Sequence, residues 1–87
     1  MKAQILKMVE RQGIGKKSQR PYNGYFVSLL YIDNNGELEC ERLFVDKSAC
    51  ESALPADTMV DIVTSFHGGN VERINILPHE TPLVLRA

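Results

Sequence analysis

The 87-residue sequence contains no tryptophan, only two cysteines and no long hydrophobic run. The apolar stretches fall well short of the roughly 20 residues that cross a bilayer, which argues against a membrane protein. The N-terminal segment MKAQILKMVERQ mixes charges with apolar residues and does not resemble a secretion signal. Because two cysteines are too few for a disulfide-stabilised scaffold, we expect a reduced, cytosolic protein with one small core.

The familiar signatures of catalysis, nucleotide binding and metal binding are also missing. The segment GIGKKS at 13–18 lacks the preceding glycine of a phosphate-binding loop, because position 10 is Glu10, and Ser18 stands where a dinucleotide fingerprint needs its third glycine. His67 has Ser65 nearby but no third group to orient it. The potential metal ligands, which lack the short spacing of a zinc site, are Cys40, Cys50, His67 and His79. We therefore expect no enzyme activity, no cofactor, no metal and no small-molecule substrate.

The net charge of −1 conceals a strong asymmetry along the chain. Residues 1–20 carry six lysines and arginines against the single Glu10, which is a net charge of +5. The remaining residues carry four cations and ten carboxylates, which is −6. Electrostatic attraction depends on where charge is concentrated, so the basic end can serve nucleic acid although the whole chain is slightly acidic.

Alternating hydrophobicity and turn residues predict an all-β protein. The slip from Ala3 and Ile5 to Leu6 and Met8 predicts a bulged or strongly coiled first strand. The polar segment 13–23 is predicted to be an exposed loop, and Asn35-Gly36 favours a tight hairpin turn. The predicted strands are 3–11, 24–33, 37–45, 58–66 and 71–77.

Three finer predictions concern residues 38–70. A change of phase near Arg42 predicts a second bulge that would hold Leu38, Cys40, Leu43 and Val45 inside and turn Arg42 and Phe44 outward. Residues 47–54, between the third and fourth strands, could form a short helix with Ser48 as its N-cap, or a loop, and residues 67–70 a tight turn. The strand order matches a small five-stranded Greek-key barrel of the OB type, with a domain over 1–78 and a C-terminal tail over 79–87.

Basic residues interleave with aromatic ones in the first half of the chain. Single-stranded nucleic acid needs this combination, because cations follow the phosphates while flat rings stack on unpaired bases. Tyr22 directly follows Pro21 in a polar segment, so we expect its ring to be exposed. We assign Phe26 to the core, because it shares a face with Leu30 and Ile32. The members of this group are Arg11, Lys16, Lys17, Arg20, Tyr22, Tyr25, Tyr31, Arg42 and Phe44.

These residues resemble the single-stranded DNA-binding, helix-destabilising proteins of filamentous bacteriophages. The similarity is strongest over 11–14, 20–22 and 30–33, and a weaker stretch covers 64–66, 72–74 and 77–78. This sequence has one extra residue before Arg20, another between Tyr22 and Tyr31, and only 67–70 where the family has a long hairpin that contributes to its dimer.

The resemblance implies a dimeric OB-type protein that coats single-stranded DNA cooperatively in a bacterial cytosol during phage-type or plasmid replication. It implies phosphate contacts from Arg11, Lys16 and Arg20 and base stacking by Tyr22. It further implies that Tyr31 lies at or near the DNA and that Arg42 and Arg73 occupy basic DNA-binding positions. The tail segment 83–85 could replace the family's hairpin as an interface strand.

Two other functions are compatible with the sequence. Both faces of the second strand are apolar, as in Val27, Leu29 and Tyr31 against Phe26, Leu30 and Ile32, which suits a protein–protein adaptor as well as a homodimer. RNA is the other possible ligand, since nothing in the sequence indicates a contact to a 2′-hydroxyl.

Overall fold

A computed structural model describes residues 1–65 and 70–84. The strands are β1 (Lys2–Ile14), β2 (Pro21–Ile32), β3 (Leu38–Asp46), β4 (Met59–Thr64) and β5 (Val71–Ile76). They form one antiparallel sheet in the order β3-β2-β1-β4-β5. The predicted all-β class with five strands is confirmed, but the sheet is open between its edge strands β3 and β5 in the described part of the chain, so it is not a closed barrel. The same residues include no helix long and apolar enough to cross a membrane.

The core lies on one face of the sheet, which we call the core face. Alternate positions of β1, β2 and β4 project there, and Ile5, Leu29 and Val60 are fully buried. Each such aliphatic side chain contributes about 1.5–3 kcal/mol when it leaves water. The β1–β2–β4 core thus holds the centre of the sheet, while the ends of the strands extend beyond it.

A bulge in β1 confirms the predicted slip in that strand. Ile5 pairs with Leu29 and Lys7 pairs with Ser28, so Leu6 is the extra residue. Because side chains alternate along a strand, one extra residue exchanges the two faces for everything that follows. Lys7 therefore lies on the face opposite the core. Without the extra residue, alternation would have placed Lys7 on the core face with Ile5.

The predicted bulge in β3 is wrong. Pairing runs without a shift from Ile32 opposite Leu38 to Gly24 opposite Asp46. Leu38 and Cys40 consequently share the outward face with Arg42, and both are exposed. The core reaches only the Val45 end of this edge strand, so a bulge would gain no burial for Leu38.

The predicted helix over 47–54 is also wrong. Asp46 accepts the amide of Ser48 at 3.0 Å with its side chain and that of Ala49 at 2.9 Å with its carbonyl, which forms a turn. The segment then spreads over the end of the core, where the Ala49 carbonyl accepts the amide of Ile74. A segment this short forms a stable helix only when tertiary contacts support it, and here those contacts hold it as a turn followed by irregular chain.

The predicted loop 13–23 is shorter than expected, because β1 and β2 continue as a two-stranded ribbon to Ile14 opposite Pro21. Only residues 15–20 lie outside the strands, and the Gly15 amide closes this tip by donating to the Arg20 carbonyl at 2.9 Å. A ribbon beyond the core needs no apolar residues, which is why its sequence resembled a loop. The predicted turn at Asn35-Gly36 is confirmed by a positive φ of 78° at Gly36.

The C-terminal segment folds back along β1. The buried Gln4 side chain donates to the Val84 carbonyl and accepts the Val84 amide, both at 2.8 Å. Lys2 and Glu80 form an ion pair at 3.0 Å. Of the predicted turn at 67–70 only Asn70 is described, and its carbonyl accepts the Ser65 amide; Leu85, in the tail patch, also lies outside the described residues.

The register between β2 and β3 predicts a large effect of substitution at one leucine and a small effect at another. Replacing the fully buried Leu29 with alanine should lower the free energy of unfolding by about 2–5 kcal/mol, because it leaves a cavity. Replacing Leu38, which is 48% exposed, should change it by less than about 0.5 kcal/mol. Urea denaturation of both variants checks this. An equal loss of unfolding free energy in Leu38→Ala would mean that Leu38 is buried, as the bulged register requires.

Candidate nucleic-acid interface

The face of β1–β3 opposite the core gathers basic and aromatic side chains, and we call it the outer face. Directly paired residues on neighbouring strands share a face, so the register defines rows across the strands. From the middle of the sheet towards the hairpin tip, the rows are Lys7–Ser28–Arg42, Val9–Phe26–Phe44, Arg11–Gly24–Asp46 and Gly13–Tyr22.

Three aromatic rings form one cluster on this face. Phe44 meets Tyr22 edge to face, with ring centroids 5.8 Å apart and an interplanar angle of 88°. Phe26 also meets the Phe44 ring, with centroids 5.5 Å apart and an interplanar angle of 67°. Tyr22 and Phe44 are 38% and 36% exposed, respectively, and Phe26 is half-buried. This aromatic cluster therefore offers ring surface to solvent instead of filling the core.

Two glycines make room for these rings. A Cβ atom at Gly13 would lie 3.0 Å from the Tyr22 hydroxyl oxygen, so the tyrosine side chain covers this position. A Cβ atom at Gly24 would overlap the Val45 carbonyl oxygen and lie 2.8 Å from Cζ of Phe44. The close approach of Phe44 to the backbone of β2 thus requires glycine at position 24.

Cations surround the inner end of the aromatic cluster. The guanidinium of Arg42 lies over the Phe26 ring, 5.0 Å from its centroid, in a cation–π contact. Beside it is a pocket of about 150 Å³, which we call the basic pocket. Its lining residues are Lys7, Val9, Arg11, Phe26, Ser28 and Arg42.

The cations of this region have no carboxylate partner among the described residues. The ion pairs of the described residues lie elsewhere: they join the N-terminus to Asp61, Lys2 to Glu80, and Lys47 to Glu10. The cations left unpaired on the basic pocket and the hairpin tip are Lys7, Arg11, Lys16, Lys17, Arg20 and Arg42. We call the outer face and the tip together the basic strip, because these cations lie at both of its ends with the aromatic cluster between them.

One acidic residue lies within this strip. Asp46 occupies the row of Arg11 and Gly24, at the edge of a second groove that passes Tyr22 and Ile14 towards the tip. Hydrogen bonds from Ser48 hold the pKa of Asp46 below its ordinary value, so this carboxylate is ionised at neutral pH. The carboxylate is hydrogen-bonded within the turn after β3, where the Ser48 amide donates to Oδ2 of Asp46 at 3.0 Å.

The placement of Tyr25 corrects the sequence-based prediction. Tyr25 is fully buried on the core face, and its hydroxyl donates to the Glu51 carbonyl at 3.0 Å. Three positions separate it from Tyr22, so the two rings project to opposite faces of β2. Its predicted contact with DNA is therefore wrong, and its hydroxyl instead fixes the segment after β3 to the core.

Tyr31 and Arg73 are not brought to the aromatic cluster. Tyr31 lies opposite Glu39 on the other face, and its pKa is raised by partial burial and by Glu41, Glu39 and Asp33. The carboxylates of Asp33, Glu37 and Glu39 lie within 4.8 Å of one another, which makes this surface negative. Arg73 is exposed on β5, the edge strand opposite β3 in the order of the sheet.

Sequence reasoning missed three residues of the outer face. The sequence pattern places Phe26 in the core because both faces of β2 are apolar, and hydrophobicity alone does not distinguish the two faces. Lys7 and Ser28 were not singled out, although the slip in β1 contained the signal for Lys7. Carrying the inverted alternation past Leu6 places Lys7 and Arg11 on one face, two rows apart.

The two glycines should respond differently to alanine. Gly24→Ala should lower the free energy of unfolding by about 1–3 kcal/mol, because its methyl group meets the backbone of β3. Gly13→Ala should cost less than half as much, since the atoms it meets belong to the movable Tyr22 side chain. Thermal and urea unfolding measure both, and equal costs would contradict the described packing of Phe44.

The chain was compared with protein-family models, curated proteins and solved structures, and none of the three comparisons found a match. The resemblance to filamentous-phage proteins is therefore carried only by the sequence motifs themselves. What the molecule does must be inferred from the residues of the outer face and their geometry.

Proposed function

We propose that this protein binds single-stranded DNA without sequence preference and catalyses no reaction. The observation that carries the proposal is the exposed aromatic cluster of Tyr22, Phe44 and Phe26 beside unpaired cations on the same face. Aromatic rings stack on any unpaired base, and cations attract any phosphate. The combination therefore favours binding of single strands, whatever their sequence.

The geometry favours a single strand over a duplex. Rings that stack on bases need those bases unpaired and turned outward, whereas the bases of a duplex are stacked on one another. The cluster lies between the basic pocket and the basic hairpin tip, so a strand crossing the outer face would meet cations on both sides of the rings. Following the resemblance, the proposal includes cooperative binding as a homodimer that coats DNA during phage-type or plasmid replication.

Tyr22→Ala should weaken binding to single-stranded DNA by about 1–3 kcal/mol, or about 5- to 150-fold, because one base loses its stacking partner. Fluorescence anisotropy with labelled oligothymidine measures the affinity, and urea unfolding checks that the fold is retained. Tyr31→Phe is the matched control: its ring lies on the acidic side, so the affinity should be unchanged.

Four outcomes of this titration separate the proposal from its rivals. Equal affinity for duplex DNA, or an unchanged affinity in Tyr22→Ala, would contradict the stacking role. Tighter binding of an RNA competitor would assign the surface to RNA. Absence of binding at low salt would favour the protein–protein adaptor, for which Ile32 and Leu38, each 48% exposed, supply apolar surface.

Salt dependence tests the electrostatic part of the proposal. With about four phosphate contacts per protomer, the slope of log affinity against log salt should be near −3, at about −0.7 per contact for single strands. Replacing Lys16 and Lys17 together with glutamine should reduce the magnitude of this slope by about 1.4, provided that each contacts a phosphate. Titrations between 50 and 300 mM NaCl check this, and a slope near zero would refute phosphate binding.

A further inference from the structure

We infer that the basic pocket holds one backbone phosphate of the bound strand, clamped jointly by Lys7 and Arg42 with Ser28 between them, and that the aromatic cluster takes the adjoining base. This inference rests on the proposed function and divides its surface into two subsites. Neither Lys7 nor Ser28 belongs to the basic–aromatic group recognised from the sequence.

The register brings the three polar residues into one row. Lys7 is paired with Ser28, and Ser28 with Arg42, across three consecutive strands. Neighbouring strands are about 4.8 Å apart, so the Cα atoms of Lys7 and Arg42 are about 10 Å apart with a hydroxyl group midway. Two long cationic side chains at this separation can converge on a single tetrahedral anion, to which the serine hydroxyl can donate.

Arg42 is held in position for this task. Its guanidinium lies over Phe26 at 5.0 Å, which restricts the side chain to the side of the pocket. A guanidinium presents several N–H groups in a planar fork and binds phosphate with two of them at once. The Phe26 ring therefore serves as a support for Arg42 and also as the wall between the basic pocket and the rest of the aromatic cluster.

The charges of the pocket call for an anion. Lys7, Arg11 and Arg42 line a single 150 Å³ space, and none of them forms an ion pair within residues 1–65 and 70–84. The one side-chain hydrogen bond of Arg11 there is to the carbonyl of Glu10, at 3.4 Å. Like charges gathered without a partner repel one another, and a bound phosphate would relieve that repulsion.

The neighbouring rows explain why a base should follow the phosphate. Val9, Phe26 and Phe44 form the next row, about 6.6 Å further along the strands. On β2 and β3 the aromatic rings follow directly after Ser28 and Arg42, while Arg11 lies on β1 one row further along. A nucleotide combines a charged phosphate with a flat base, so its two parts match the two chemistries in order.

Two ligands of equal length separate the subsites: an oligothymidine decamer and an abasic deoxyribose-phosphate decamer, which carries phosphates but no bases. Lys7→Gln should lower the affinity for both by the same factor, about three- to eightfold at 50 mM salt. Tyr22→Ala should lower the affinity for oligothymidine alone. Lys2→Gln is the control, because it removes the same charge from the same strand but from a lysine paired with Glu80; it should change either affinity less than twofold.

A double variant tests whether Lys7 and Arg42 share one phosphate. If they do, Lys7→Gln with Arg42→Gln reduces the magnitude of the oligothymidine salt slope by about 0.7, and the combined loss of affinity is smaller than the product of the single losses. A reduction of about 1.4 with multiplicative losses means two separate phosphates and overturns the clamp. An effect of Lys7→Gln no larger than that of Lys2→Gln also overturns it.

Failure of this inference is distinguishable from failure of the proposed function. If the wild-type protein binds neither decamer at low salt, the proposed function itself fails. If the wild type binds oligothymidine and Tyr22→Ala weakens that binding, but Lys7→Gln leaves it unchanged, then only the phosphate clamp is wrong. Circular dichroism and urea unfolding of each variant verify that the sheet is intact.

Discussion

The extra residue Leu6 in β1 is the constraint on which the outer face depends. Before it, alternation places Ala3 and Ile5 in the core; after it, Met8 returns to the core face, and Lys7, Val9 and Arg11 project to the outer face. A strand without the bulge would direct Lys7 towards the hydrophobic core, where an unpaired charge is very costly. The bulge therefore satisfies the core and the outer face with a single strand.

Exposed rings are costly for a protein of this size, since about 25 cal/mol is lost for each Å² of apolar surface left in water. The aromatic cluster nevertheless keeps Tyr22 and Phe44 more than a third exposed, while Tyr25 in the same sheet is fully buried. Edge-to-face packing around Phe44 and the two glycines beneath the rings hold this arrangement. Local packing thus orients the rings with part of their surface open, which suits a ligand that supplies its own flat surface.

Charge follows the same alternation as hydrophobicity. On β3 the odd positions Glu39 and Glu41 project to the core face beyond the edge of the core, where they raise the pKa of Tyr31, and the even position Arg42 projects to the outer face. The sheet consequently separates a negative surface from a positive one within a strand of nine residues. A polyanion would be attracted to one face and repelled from the other, which orients it without any sequence-specific contact.

The sequence by itself determined the all-β class, the hairpin turn at Asn35-Gly36, the slip in β1 and the exposure of Tyr22, because each follows from alternation or turn chemistry over a few neighbouring residues. Tertiary structure alone decided which face of β2 became the core. Both faces of that strand are apolar, and only the assembly of the core and the hydrogen bond to the segment after β3 selected Tyr25 over Phe26 for burial. The same long-range contacts left residues 47–54 without a helix and β3 without a bulge. The pairing of three strands assembled Lys7, Ser28 and Arg42 into one row. Local pattern specifies what each strand can present, whereas the register between distant strands specifies which side chains meet.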